Sequence, residues 1–199
     1  MIHGDDFVSV GNRDDIKKFE ESLESRFEIK TTIIGDALEE NKEGRVLSRV
    51  IRITQNGWEY EPDQRHADMI IEAMGLQNSK GVSTPAEEEK AWEEETNNEE
   101  LGSERATTFR RIAARANYLA ADRPDIMYSV KEICRQMAKP TMRGWKQMKR
   151  LARYLKTSPR TILEYPWQSL EKEIEGFSDS DWAGCKRSGK STSGGVIKI

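Results

Sequence analysis

The chain has 199 residues, 34% of them charged and 36% hydrophobic, with a mean hydropathy of -0.80 and a net charge of -3. It is long enough to bury a real core, but so polar a composition argues that part of it is solvated linker. Cys134 and Cys185 stand far apart without CxxC spacing, which suggests neither a disulfide framework nor a zinc site and fits a reducing intracellular compartment; no apolar run approaches a membrane span, and the acids at 5 and 6 exclude a signal-peptide core, so the chain is expected to be soluble, not secreted, and without a membrane partner.

The opening "MIHGDDFVSV" reads as strand apart from its adjacent carboxylates, Asp5 and Asp6. Ile16, Phe19, Leu23 and Phe27 then recur at helical spacing behind Asn12, a plausible N-cap, which predicts an amphipathic helix laid on something apolar. "RVLSRVIRITQNGWEYEP" alternates Val46, Val50, Ile51 and Ile53 with polar residues and then meets Asn56-Gly57, the signal for a type I′ hairpin turn. Pro62 at a first helical position, Met69, Ile70, Ala73 and Met74 on one face, and Gly75 just beyond predict a short helix over about 62–74.

From Ala86 to Arg105 the chain carries nine Glu against Lys90 and Arg105, a local charge of -7. Such a run reads as solvated linker rather than an acidic binding surface, and it marks the best internal boundary. Between Thr108 and Arg160 the sign reverses, with fourteen Lys or Arg against three acids, a net of +11. Three helices fit this region: one near 105–121, one opening at Pro124 with Ile126, Val130, Ile133, Cys134 and Met137 on one face, and one capped by Thr141 with Trp145, Met148, Ala152 and Leu155 inward. The positive charge is then left on the outer faces. A solvated helix face is the alternative, but one-signed enrichment favours a phosphate-binding surface, with Arg143, Lys146, Lys149, Arg150 and Arg153 as its candidate residues.

The last part, "TILEY" and "EIEGFSDSDWAGCKRSGKSTSGGVIKI", reads as three short strands with a Gly- and Ser-rich turn between the last two. "DSDWAG" fails as an EF-hand loop, because Ala183 and Lys190 stand where oxygen ligands belong. Asp179 and Asp181, two apart on a strand, would point to one face and could approach one cation, although spacing alone favours two exposed turn aspartates.

Several blocks together resemble one family in order. "IHGDDFVSVG" is similar to the "YxDD" hairpin of reverse transcriptases. "GVSTP", then "ANYLAADRPDIMYSVKEICRQMAKPTMRGWKQMKRLARYLKTSP", then "GFSDSDWAGCKRSGKSTSGGV" resemble the run that follows it in copia-type retrotransposon polyproteins, ending at the start of ribonuclease H. The DD hairpin alone is a weak motif; "RPDI" and "SDSDWAG" followed by "KSTSG" in this order are quite specific.

The resemblance implies an α+β chain: 1–60 the C-terminal part of a polymerase palm, 61–85 a thumb-like helix and loop, 86–107 the acidic linker, 108–165 a basic helical connection region, and 166–199 a truncated start of ribonuclease H. It implies RNA-directed DNA polymerisation by two-metal chemistry, with Asp5 and Asp6 as catalytic Mg²⁺ ligands and Asp179 as the first metal-binding aspartate of ribonuclease H. The implied partners are an RNA/DNA template-primer and the rest of the polyprotein, and the implied location is the cytoplasm, in a virus-like particle, or the nucleus. The hairpin around Asn56-Gly57 falls where the family has a primer-holding hairpin. His3 stands where the motif has its tyrosine, and Asp181 is family pattern without a clear catalytic role. The family's first polymerase aspartate and the later ribonuclease H carboxylates are not in the sequence, so the chain alone is expected to be inactive; a non-catalytic nucleic-acid-binding fragment or a decayed transposon remnant is the rival reading.

Overall fold

The computed structural model describes residues 2–4, 6–87, 99–169, 173–184 and 189–198, with residues 2, 3 and 6 described by backbone pairing alone. It mixes helices and strands, in agreement with the α+β class, and divides into two compact units, Met1–Tyr165 and Pro166–Ile199.

In the first unit, β1 (Ile2–His3) and β2 (Asp6–Phe7) pair antiparallel, Ile2 opposite Phe7 and His3 opposite Asp6. The turn between them uses Gly4 at φ +62°, a left-handed value that costs glycine little. Helix α1 (Arg13–Glu24) starts where expected, with the Asp15 N–H donating to the Asn12 side chain at 3.0 Å. Its apolar stripe is not covered as predicted: no α1 residue is buried, Phe19 is 43% exposed, and Phe27 just beyond is 61% exposed. What ties α1 down is polar, with Arg13 donating to Glu40 at 2.8 Å and Asp36 at 3.1 Å.

Next comes an antiparallel meander, β3 (Glu43–Val46), β4 (Arg49–Thr54) and β5 (Gly57–Glu61); β6 (Leu163–Pro166), whose first three residues belong to this unit, takes the edge beside β5. Both hairpin turns differ from expectation. β3 and β4 are separate strands joined through Leu47 (φ +48°) and Ser48 (φ +67°), a pair of left-handed residues with no glycine or asparagine to announce them. In the second turn Thr54 pairs with Gly57, so the loop residues are Gln55 and Asn56. Neither has a positive φ, and the turn is therefore not type I′. Thr54 Oγ1 stabilises it instead, accepting the Asn56 N–H at 3.2 Å and donating to the Gly57 carbonyl at 3.0 Å.

Helix α2 (Arg65–Ala73) begins three residues after Pro62, because the Asp63 carboxylate accepts the Arg65 N–H at 3.2 Å. It stops at Gly75 (φ +65°), where the Gly75 and Leu76 N–H groups return to the Glu72 and Ile71 carbonyls. Helix α3 (Ser103–Ala120) buries Ala106, Phe109, Ile112, Ala113, Ala116, Leu119 and Ala120, a stripe at three- and four-residue spacing. A 3-10 turn over Pro124–Ile126 leads into α4 (Met127–Cys134), and α5 (Met142–Thr157) closes the bundle with Met148, Leu151, Ala152 and Leu155 inward. Gly144 lets α5 approach closely: a Cβ there would stand 3.0 Å from the Phe109 ring and 2.7 Å from Gln136 Oε1. Each large aliphatic or aromatic side chain buried here contributes about 1.5–3 kcal/mol.

This core corrects the expected division of the chain. The acidic run is the expected internal boundary, yet Ala67, Ile70, Ile71 and Met74 from before it share one core with α3, α4 and α5 after it. A nine-residue helix is too short to stand alone, so α2 has to bury its apolar face against partners, wherever they lie in sequence. The run also ends earlier than 107. Helix α3 starts at Ser103, and before it Leu101 N–H donates to the Pro140 carbonyl while Met142 N–H donates to that of Glu99, both at 2.9 Å. Residues 88–98 lie outside the described residues.

The second unit is described by β7 (Glu175–Ser180) and β8 (Ser193–Lys198), paired antiparallel with Phe177 opposite Val196 and exposed throughout.

Candidate metal-ligating aspartates and the basic face of α5

Of the first carboxylate pair, Asp5 lies outside the described residues. Asp6 is placed by its backbone in β2, opposite His3 and directly after the turn, so the strand pairing fixes its position in the hairpin.

The second pair separates into two different residues. Asp179 sits within β7, exposed and opposite Gly194, and its Oδ1 accepts the adjoining Ser180 N–H at 2.8 Å. Asp181 lies just past the strand and is used by the fold. Its Oδ1 accepts the Thr192 N–H at 2.5 Å, and its own N–H donates to the Thr192 carbonyl at 3.1 Å, which extends the ladder by one position. Ala183, at φ +53°, donates its N–H to Ser191 Oγ at 3.1 Å, and a side chain at Gly184 would run into the Asp181 carboxylate. Asp181 is thus a loop clamp, a role the sequence did not reveal. Among the described residues no three His, Cys, Asp or Glu side chains gather where they could hold a metal ion.

Helix α5 carries its cations in a stripe. Arg143, Lys146, Lys149, Arg150, Arg153 and Lys156 recur at three- and four-residue spacing beside the buried residues, and the helix contains no acidic residue. Part of the stripe is occupied by the chain itself. Arg150 donates to Glu87 at 2.6 Å and to Thr84 Oγ1 at 2.7 Å, Arg153 Nε to the Lys80 carbonyl at 2.7 Å, and Lys156 Nζ to the Ser79 carbonyl at 2.5 Å. The Val82 N–H donates to the Arg153 carbonyl at 3.4 Å, so residues 79–87, which contain "GVSTP", run as a strap along α5. Lys149 is exposed, and Arg143, Lys146 and Lys149 lie on the same helix one turn apart.

"RPDI" also has a structural explanation. Arg123 is 1% exposed, and its guanidinium fork binds both Asp125 oxygens at 2.8 and 2.7 Å while reaching the Ser158 carbonyl at 3.0 Å and that of Pro159 at 3.3 Å. Tyr154 O–H donates to the same Asp125 at 2.8 Å. Burial alone would raise the Asp125 pKa, but the hydrogen bonds from Arg123 and Tyr154 outweigh it and hold the carboxyl below its ordinary value. The motif therefore fastens the start of α4 to the end of α5. A similar knot joins the sheet to the bundle: Asp122 accepts Arg49 Nε at 2.8 Å and Tyr60 O–H at 2.6 Å, and burial together with that carboxylate pushes the Tyr60 phenol up to about 12. Sequence reasoning missed Asp122 and Arg123 as anchors, because buried ion pairs leave no periodic trace. Cys134 is half-buried, donating to the Ala113 carbonyl at 3.7 Å, while Cys185 lies outside the described residues. No described helix is long and apolar enough to cross a membrane.

Comparison with known proteins finds partial relatives. The chain is 33% identical over 139 residues to an uncharacterised mitochondrial protein of Arabidopsis thaliana, a match covering 65% of this chain and 52% of that protein. It is 34% identical over 94 residues to the retrovirus-related Pol polyprotein from transposon RE2 of Arabidopsis thaliana, covering 47% of this chain and 6% of the polyprotein. To the retrovirus-related Pol polyprotein from transposon TNT 1-94 of Nicotiana tabacum it is 23% identical over 200 residues, covering 98% of this chain and 14% of the polyprotein. The chain thus spans about half the length of the first relative and a small share of the two polyproteins. No family model matches it, and no solved structure matches it significantly. Over these stretches the chain is similar to parts of the retrovirus-related Pol polyproteins of plant transposons.

Proposed function

We propose that this chain is the stretch of a copia-type polyprotein running from a reverse-transcriptase palm, through a thumb-like and connecting helical region, into ribonuclease H, and that its helical bundle holds the phosphates of an RNA/DNA template-primer. The observation that carries the binding reading is the stripe of six cations on α5, a helix with no carboxylate of its own, beside the face that packs into the core. On this reading Asp5 and Asp6 in the polymerase and Asp179 in ribonuclease H are oxygen ligands for Mg²⁺, which would neutralise charge on the reacting phosphate. The described residues assemble no complete ligand set, so no catalytic step is assigned to the chain by itself.

The test is titration of the full chain against a fluorescent RNA/DNA hybrid over a range of salt. Log K should fall linearly with log salt and depend little on sequence, and Lys146→Gln with Lys149→Gln should flatten the slope by roughly 0.9 for each phosphate that is no longer neutralised. Absence of binding at low salt overturns the reading.

A further inference from the structure

We propose that Thr84 is a phosphorylation site for a proline-directed Ser/Thr kinase, and that α5 holds the phosphate so that the strap over 79–87 is fastened to the helix. The effect on nucleic acid described below rests on the reading of α5 as a phosphate-binding helix. Thr84 is exposed and directly precedes Pro85, whose fixed φ and missing N–H are what a kinase of this class reads after its acceptor. Ser83 is exposed too, but threonine follows it. Thr84 Oγ1 accepts from Arg150 Nη2 at 2.7 Å, so the oxygen to be modified already stands at the guanidinium that would receive the phosphate. Lys146 and Arg153, one turn to either side of Arg150, share its face on a helix with no carboxylate. The strap is positioned on both sides of Thr84. Before it, the Ser79 and Lys80 carbonyls accept from Lys156 and Arg153; after it, the Pro85 carbonyl accepts from Ser129 Oγ of α4 at 3.0 Å.

In the transfer, Thr84 Oγ1 forms a bond to the γ-phosphorus of ATP as the bond from that phosphorus to the β–γ bridging oxygen breaks. ADP leaves, and the hydroxyl proton passes to the kinase's catalytic carboxylate. A neutral acceptor thereby becomes a group of about -1.5 to -2 charge with three strong acceptor oxygens. A hydroxyl offers Arg150 one hydrogen bond, whereas a phosphate takes two from its fork and has Lys146 and Arg153 within a turn. Arg150 already takes an anion from the strap, since Glu87 pairs with it at 2.6 Å. That carboxylate is exposed and screened by salt, so the doubly charged phosphate displaces it. Modification therefore tightens the strap and withdraws cations of α5 from nucleic acid.

The test treats the full chain with a proline-directed Ser/Thr kinase and MgATP and locates the phosphate by peptide mass spectrometry. Thr84 should be modified, and a Thr84→Val chain should take up nothing at that position. Phosphorylation should slow hydrogen exchange at the Val82 amide several-fold, because that amide donates to the Arg153 carbonyl where the strap meets α5. In Arg150→Gln, phosphorylation should leave Val82 exchange unchanged. With a fluorescent RNA/DNA hybrid, the modified chain should bind several-fold more weakly at low salt, with a slope lower by about 1–2, roughly 0.9 for each phosphate no longer neutralised. No incorporation at Thr84, under conditions that modify a short Thr-Pro peptide, overturns the site. Incorporation that leaves Val82 exchange unchanged, or slows it equally in Arg150→Gln, overturns the fastening of the strap. If the unmodified chain does not bind the hybrid at all, the phosphate-binding reading of α5 falls, and Val82 exchange still decides the fastening by itself.

Discussion

Arg160 reaches back ninety-nine residues to Glu61, its Nε donating to Oε1 at 2.5 Å and its Nη2 to Oε2 at 2.9 Å, and so joins the segment leaving α5 to strand β5. Arg52 Nη1, from β4, donates to the same carboxylate at 2.6 Å. Glu61 is buried, and these two guanidiniums compensate its charge there.

That pairing makes stability depend on acid. The hydrogen bond from Arg160 is the largest influence on Glu61; burial opposes it, and Arg52 adds to it, so the carboxyl is held at about 2 against an ordinary 4.5. Its folded pKa is depressed, so the contribution is fully present above 4.5 and is lost as the pH falls from 4.5 toward 2. Urea unfolding at pH 6 and pH 3 should show a loss on the order of 2 kcal/mol that Glu61→Gln reduces markedly. An unchanged pH dependence in Glu61→Gln would place the acid sensitivity elsewhere.

Arg123 should be less replaceable than any cation on α5. Its fork serves two carboxylate oxygens and two carbonyls from a position with almost no solvent, and lysine cannot reproduce that geometry. Arg123→Met should cost about 3–5 kcal/mol, because Asp125 is left charged and largely unpaired. Adding Asp125→Leu should recover part of the loss. Thermal unfolding of the single and double variants measures it, and an Arg123→Lys chain as stable as the parent would show that the fork is not needed.

How much of this was legible depends on whether the signal was local. The stripes of α3, α4 and α5, and the Asn12 cap of α1, repeat within one or two turns and could be read directly. The Leu47–Ser48 turn could not, since its left-handed residues are chemically ordinary and the adjoining strands supply the constraint. Asn56-Gly57 misled by one residue, because strand register placed Gly57 in β5. The basic region was visible as charge, but the commitment of Arg150 and Arg153 to the strap depends on partners more than sixty residues away. For the aspartates, spacing alone offered two equivalent carboxylates at 179 and 181, and the resemblance singled out Asp179; what Asp181 does follows only from the chain's return through Thr192.

Gly81 should tolerate no side chain. A Cβ at that position would fall on Thr157 Oγ1 and lie 3.3 Å from Thr157 Cβ, with the Arg153 carbonyl 3.6 Å away. Gly81→Ala should therefore lift the strap from α5 and weaken protection of the Val82 amide, with a loss of about 1–3 kcal/mol as for other overpacked sites. Thr157→Ala should restore part of it in the double variant, by removing the nearest atom. Hydrogen exchange at Val82 together with the unfolding midpoint checks this; additive effects of the two substitutions would mean that the residues do not meet.

Asp179 and Asp181 should part company when each is changed. β7 and β8 form a two-stranded ribbon exposed on both faces, a structure that is marginal in water and depends on its closing contacts. Asp181 supplies such a contact by accepting the Thr192 N–H, and Asp181→Ala removes it, which should cost about 1 kcal/mol locally and expose the Thr192 amide to exchange. The Asp179 carboxylate accepts from the neighbouring Ser180 amide, and an asparagine oxygen can accept the same bond. Asp179→Asn should therefore leave the exchange rates and amide shifts of Ala183 and Thr192 unchanged, as expected of a carboxylate the hairpin does not need. Loss of Thr192 protection in Asp179→Asn, with none in Asp181→Ala, would reverse the two roles.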